Sequence, residues 1–99
     1  MAEIIWTSPA LNDLNDIAEY IALSNLSAAK NLTQKVFDKI SRLEEHPESG
    51  KRPLELINLN YREVIVSPCR IFYKVDCNLV YILHVMRRER DLRKFLLQS

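Results

Sequence analysis

Residues 61–86 carry the strongest pattern in the chain: Tyr61-Arg62-Glu63-Val64-Ile65-Val66, then Ser67-Pro68-Cys69, then Arg70-Ile71-Phe72-Tyr73-Lys74-Val75, then Asp76-Cys77-Asn78, then Leu79-Val80-Tyr81-Ile82-Leu83-His84-Val85-Met86. Three runs rich in β-branched and aromatic residues are separated by two short turn-forming clusters, which is how consecutive antiparallel strands read. Ile71, Tyr73 and Val75 fall on one face of the middle run under the two-residue period of a strand. The last run is apolar along most of its length and is expected to lie at the centre of a sheet.

Upstream, Pro47-Glu48-Ser49-Gly50-Lys51-Arg52-Pro53 is a turn-rich loop, and before it the periodicity becomes helical. Ala29, Leu32, Val36, Phe37, Ile40 and Leu43 form one apolar stripe, with Ser27 as the expected cap and an end before Pro47. Leu11, Leu14, Ile17, Ala18 and Ile21 form another, with Ser8 as the expected cap, Pro9 in the first turn, and Asp13 and Asp16 near the positive end. That helix is expected to stop near Ser24-Asn25, so the two helices make an antiparallel hairpin. Ile4-Ile5-Trp6-Thr7 reads as a strand. The order of strand, two helices and three strands implies a single α+β domain over 1–99. It places a helical hairpin on one face of an antiparallel sheet and leaves the other face partly open. Arg87 to Leu97 forms a charged end with Leu92, Phe95 and Leu96 at helical spacing, either a short helix or an extended tail.

A chain of 99 residues, 47% hydrophobic and 27% charged, has enough apolar surface for one core. No apolar run approaches the roughly 20 residues of a membrane-spanning helix. Met1-Ala2-Glu3 does not resemble a basic secretory leader, so a cytoplasmic protein is expected. A single glycine excludes glycine-rich phosphate loops. Two cysteines and two histidines, all far apart in sequence, make a poor metal set, and no cofactor is expected. The net charge of +1 hides an asymmetry: residues 1–49 carry 4 Lys+Arg against 8 Asp+Glu, and residues 50–99 carry 10 against 5. The basic second half suits an anionic partner, unless its charges are simply spread over a solvated surface.

Cys69 and Cys77 sit at opposite ends of the strand that begins at Arg70. Eight residues at about 3.3 Å each separate them by roughly 26 Å, whereas a disulfide needs Cα atoms within about 7 Å. Both are expected to remain reduced thiols, as in a reducing compartment.

Several segments, taken in order, resemble the ParE/RelE toxins of bacterial type II toxin–antitoxin systems. They are Trp6-Thr7-x-x-Ala10-x-x-Asp13-Leu14-x-x-Ile17-x-x-Tyr20-Ile21, Pro47-Glu48-Ser49-Gly50-Lys51-Arg52, Tyr61-Arg62-Glu63, Arg70-Ile71-Phe72-Tyr73-Lys74-Val75, and Ile82-Leu83-His84-Val85-Met86-Arg87-Arg88-Glu89-Arg90-Asp91-Leu92. They span nearly the whole chain, and the helical hairpin beside an antiparallel sheet is also the fold this resemblance implies.

The resemblance implies one of two activities. RelE-like toxins cut messenger RNA on the ribosome, and ParE-like toxins poison DNA gyrase. Metal-free RNA cleavage needs a base for the 2′-hydroxyl, an acid for the leaving oxygen and cations for the phosphate. Matched onto the RelE pattern, the basic positions fall on Arg62, Arg70 and Arg88. A further basic position falls on Val64, and the tyrosine position falls near Lys94 and Phe95. Arginines hold phosphate but are poor proton acceptors, which leaves Tyr61 and His84 as possible replacements. His84 is equally an ordinary hydrogen-bonded sheet histidine, His46 a helix-terminus residue, and Tyr61 and Tyr73 half-buried strand aromatics. The loop from Gly50 to Leu56, Tyr20-Ile21, the long hairpin and Arg90-Asp91-Leu92 look closer to ParE. In that family the C-terminal region is implicated in toxicity, which turns attention to Arg87, Arg88, Arg90, Arg93 and Lys94 as target-binding residues. A solvated charged end is the plainer alternative.

Both toxin readings imply a cognate antitoxin in a hetero-oligomer, with a DNA-binding N-terminal half and a C-terminal segment that wraps the toxin. The other expected partner is DNA gyrase or, alternatively, the ribosome and its mRNA; no membrane is involved. The antitoxin segment is expected on the hairpin groove at Leu11, Leu14, Ile40 and Leu43, although these four suit the core equally well. A third reading is an inactive member that only binds its partner.

Overall fold

The computed structural model describes residues 1–54 and 59–87. The elements are β1 (Glu3–Trp6), α1 (Ser8–Ala22), α2 (Leu26–Ser41) with a 3-10 turn at Arg42–Glu44, β2 (Arg62–Val66), β3 (Cys69–Asp76) and β4 (Leu79–Arg87). The meander is antiparallel as the alternation implies, and β4 lies inside the sheet, whose order is β1-β4-β3-β2. β1 joins it in parallel, with Glu3 opposite Leu79 and Trp6 opposite Ile82, so the sheet is mixed rather than wholly antiparallel. The helical hairpin is the crossover that carries the chain from β1 to β2 at the far edge, and the meander then returns it so that β4 lies beside β1.

Both caps fall one or two residues before the expected positions. Thr7, not Ser8, caps α1: its hydroxyl oxygen accepts the Ala10 N–H at 3.4 Å while the hydroxyl donates to the Ile82 carbonyl at 2.6 Å. Asn25, not Ser27, caps α2 by accepting the Ala28 N–H at 3.0 Å. Each of these residues is extended, as a cap must be, while Ser8 and Ser27 are already helical.

Ala10 and Leu14 of α1 and Leu32, Val36 and Ile40 of α2, together with Leu43, pack on Val64, Val66, Ile71, Tyr73, Val80, Ile82 and Val85 of the sheet. Burying each large side chain stabilises the fold by roughly 1.5–3 kcal/mol. The core therefore takes Leu14, Ile40 and Leu43, which are only 4%, 1% and 1% exposed. They offer an antitoxin no surface. Leu11 differs and is exposed. The opposite face of the sheet is less open than expected, because Phe72 and Met86 are buried there and the Arg70 guanidinium lies 4.9 Å from the centre of the Phe72 ring. Cys69 is buried and Cys77 exposed, and they form no disulfide. No helix among the described residues is long and apolar enough to cross a membrane.

Candidate functional site

Strand alternation decides where the candidate arginines point. Val66 and Cys69 flank a two-residue turn, and the register they set puts Arg62 opposite Tyr73 and Ile65 opposite Arg70. Tyr73 belongs to the helix-side core, so Arg62 shares that face and Arg70 takes the other. The two guanidinium groups do not converge on one phosphate.

Each also has a task within the fold. Arg62 Nη1 donates to the carbonyls of Glu48 at 3.0 Å and Gly50 at 2.8 Å. The same loop is held by Tyr73, whose hydroxyl accepts the Gly50 N–H at 2.9 Å and donates to the Pro47 carbonyl at 2.8 Å. Tyr73 is thus fully buried rather than half-buried, and burial pushes its phenol above the ordinary value. A side chain at Gly50 would collide with this arrangement, since a Cβ there would lie 2.5 Å from the Tyr73 hydroxyl oxygen and 2.7 Å from the Glu63 carbonyl oxygen. Arg70 donates from Nε and Nη2 to one carboxylate oxygen of Glu63, at 3.0 and 2.6 Å. Both side chains are nearly buried, a setting in which an ion pair must be well formed to survive desolvation. Val64, at the position where the RelE pattern has a basic residue, is in the core.

A second locus forms where α1 passes the end of β4. Asp13 accepts the Val85 N–H at 3.1 Å, and its same oxygen lies 3.3 Å from His84 Nδ1. His84 is therefore a hydrogen-bonded sheet histidine, and Asp13 serves the sheet more than its own helix terminus. Beside this pair is a cleft of about 390 Å³ lined by Asp13, Asp16, Ile17, Tyr20, Met86 and Arg87, among others. The Arg87 guanidinium lies 5.1 Å from the Tyr20 ring centre, and Tyr20 is largely exposed. Arg87 is the one basic residue of the C-terminal group within the described residues. Arg88, Arg90, Arg93 and Lys94 lie outside them, as do Glu55 and Leu56 of the loop and Asp91 and Leu92 of the ending.

On the helical hairpin, exposed apolar side chains include Leu23 and Leu26 at its turn and Leu11 and Phe37 nearer the sheet's β1 side, with the half-buried Trp6 ring 5.0 Å from Phe37. Sequence reasoning placed Phe37 in the core stripe. Val36 takes the centre of the buried face, and Phe37, about 100° further round the helix, falls at the edge of the stripe. Tyr61 is half-buried at the start of β2 and His46 is exposed after the 3-10 turn. Among the described residues no group of His, Cys, Asp and Glu could hold a metal ion.

Comparison with known proteins matches residues 4–92 to the family model of the ParE toxin of type II toxin–antitoxin systems. The chain is 34% identical over 91 residues to the protein named Toxin RelE2 of Caulobacter vibrioides, covering 91% of this chain and 99% of that one. In fold it is similar to a chain of the chromosomal ParDE toxin–antitoxin system of P. aeruginosa, with a TM-score of 0.75, 24% identity, and coverage of 90% of this chain and 98% of that one. It is also similar to a chain of the RelBE2 toxin–antitoxin complex of Mycobacterium tuberculosis, with a TM-score of 0.58, 20% identity, and coverage of 88% and 98%. The family match covers the strands, the hairpin and the loop described above, and the chain belongs to the ParE toxin family of type II toxin–antitoxin systems.

Proposed function

We propose that this toxin acts as a ParE-like inhibitor of DNA gyrase in the cytoplasm and is held inactive by a cognate antitoxin. The observation that carries this reading is the fate of the two strand arginines. A phosphate-holding nuclease site needs converging cations. Arg62 instead secures the Pro47–Lys51 loop on one face, and Arg70 pairs with Glu63 on the other. The family match to ParE points the same way.

In this reading the target is engaged by the basic end of the chain: Arg87, Arg88, Arg90, Arg93 and Lys94. Arg87 stands exposed at the mouth of the α1–β4 cleft. The antitoxin places a folded-on-binding segment along the hairpin at Leu11, extended by Phe37 and Trp6, and its DNA-binding half lies elsewhere. The test is a gyrase supercoiling reaction containing the purified chain. Lost supercoiling with accumulation of linear DNA, reversed by the antitoxin, supports the reading. Normal supercoiling at large excess of folded chain removes it.

One observation favours a second reading, mRNA cleavage on the ribosome: the 34% identical relative carries the name Toxin RelE2. Here Arg62, Arg70 and Arg88 would hold the phosphate, so Arg62 and Arg70, which lie on opposite faces and are both bonded within the fold, must be redirected to one point. Cuts in mRNA that require translating ribosomes and weaken in Arg88→Ala would establish it.

A further inference from the structure

The two edges of the sheet are finished differently. At β1 the Ala2 N–H, one residue before the strand, donates to the Glu44 carbonyl at 2.7 Å, which ties the 3-10 turn to the start of that edge. At β2 the cover is a single rung: Lys51 and Glu63 exchange both backbone hydrogen bonds, at 3.1 and 2.7 Å. The next outward-facing residue under the two-residue period is Ile65. Its N–H and C=O have no partner among the described residues, because the chain before Lys51 turns away, with the Ser49 N–H bonded to the His46 carbonyl.

Ile65 opens onto a groove of about 530 Å³ between this edge and the end of α2. Lys39, Arg42, Lys51 and His46 line it, and among the described lining residues the single carboxylate, Glu63, is already paired with Arg70. Edge strands left with an unpaired rung are templates for another chain.

We infer that this groove is a docking site for an extended acidic peptide segment. One of its residues exchanges both backbone hydrogen bonds with Ile65, continuing the ladder that Lys51 begins, and its carboxylates meet Lys39, Arg42 and Lys51. A nucleic acid would satisfy the cations but not the rung. A DNA backbone offers acceptors for the Ile65 N–H and no donor for its C=O, and the one backbone donor of RNA, the 2′-hydroxyl, does not repeat the paired donor and acceptor of a strand, whereas a peptide backbone offers both. The surface is separate from the Leu11–Phe37 strip and does not depend on which target the toxin has.

The experiment uses the full chain and four labelled probes read by fluorescence anisotropy. The probes are an eight-residue peptide of alternating valine and glutamate, the same peptide with lysine for glutamate, the first peptide with every backbone nitrogen methylated, and an eight-nucleotide thymidine strand. The expected result is binding of the glutamate peptide alone. Binding weakens at least tenfold with methylation and at least tenfold in the double variant Lys39→Glu/Arg42→Glu, whose sites are exposed. Hydrogen exchange at the Ile65 amide slows when the glutamate peptide is present, a readout that needs no variant. Equal binding of the methylated peptide overturns the strand pairing. Tighter binding of the thymidine strand, lost in the double variant, assigns the groove to nucleic acid instead. No binding of the glutamate peptide at about 1 mM, the weak end of measurable affinity, overturns the site altogether.

Discussion

The Pro47–Lys51 loop and the seam between α1 and the end of β4 are fastened by the same device, a side chain that hydrogen-bonds backbone far away in sequence. They differ in access to water. Around Tyr73 the ring is fully buried and the hydroxyl is satisfied as both donor and acceptor. Around Asp13 the side chains of the pair remain 17% and 21% exposed, and an open cleft begins beside them. A buried polar clamp has no alternative partner, so its groups are committed to the fold. A clamp at a cleft can exchange its partners for water or for a ligand at little cost. The first region therefore reads as architecture, even though it holds an arginine that looked functional, and the second reads as surface on which function can be built.

The largest expected effect tests the buried clamp. Tyr73→Ala removes a buried ring and both of its hydrogen bonds, and chemical denaturation is expected to show a loss of about 3–5 kcal/mol. Tyr73→Phe isolates the hydroxyl and is expected to cost about 1–3 kcal/mol, by stranding the Gly50 N–H and the Pro47 carbonyl. The hydroxyl also carries a pH signature. The folded state holds the phenol proton more tightly than the unfolded chain, whose phenol titrates at about 10. Stability from this group is full below that pH and falls as the pH rises above it and through the higher folded-state value. Denaturation midpoints measured across that range are expected to drop for the native chain and to lack that component in Tyr73→Phe.

Next in size is Gly50→Ala, where the new methyl meets the Tyr73 hydroxyl and the Glu63 carbonyl. Overpacking of about 1–3 kcal/mol is expected in the same measurement. Asp13→Ala should cost less, about 1 kcal/mol, because water can replace the carboxylate at the Val85 N–H. A loss at Asp13 larger than that at Gly50 would break the contrast between the two regions. The smallest stability effect is expected for Arg87→Ala, about 0.5 kcal/mol from the contact with Tyr20. If the seam is where function is built, that variant loses potency in the supercoiling reaction while keeping its melting temperature. A variant as potent as the native chain would detach the cleft from the target.

Much of the fold was legible because periodicity is local. The shift from helical spacing at Leu32, Val36 and Ile40 to alternation at Ile71, Tyr73 and Val75 separates hairpin from meander without any long-range knowledge. The parallel partner of β1 was not legible, since nothing in Ile4-Ile5-Trp6 says which strand it meets. The caps slipped because Thr7 and Ser8 are both competent. The choice between them was made by Ile82, whose carbonyl takes the Thr7 hydroxyl. At the candidate site, the opposed faces of Arg62 and Arg70 were not legible: a turn over Ser67-Pro68-Cys69 would pair Val66 with Arg70 and put both arginines on one face, whereas Cys69 pairs with Val66 and shifts the register by one residue. The Asp13–Val85 bond joins residues 72 positions apart and had no local signal.

The parallel pairing of β1 with β4 also bears on how the toxin is born. Glu3 meets Leu79, so the first strand made waits for the last. At about 5–20 residues per second, roughly 4–15 s of translation separate the two. The hairpin is made within that interval, but at no point in it can the sheet be finished. Until β4 has been made, β1 lacks its sheet neighbour, and the apolar side chains that the finished sheet buries stay open to any partner already present.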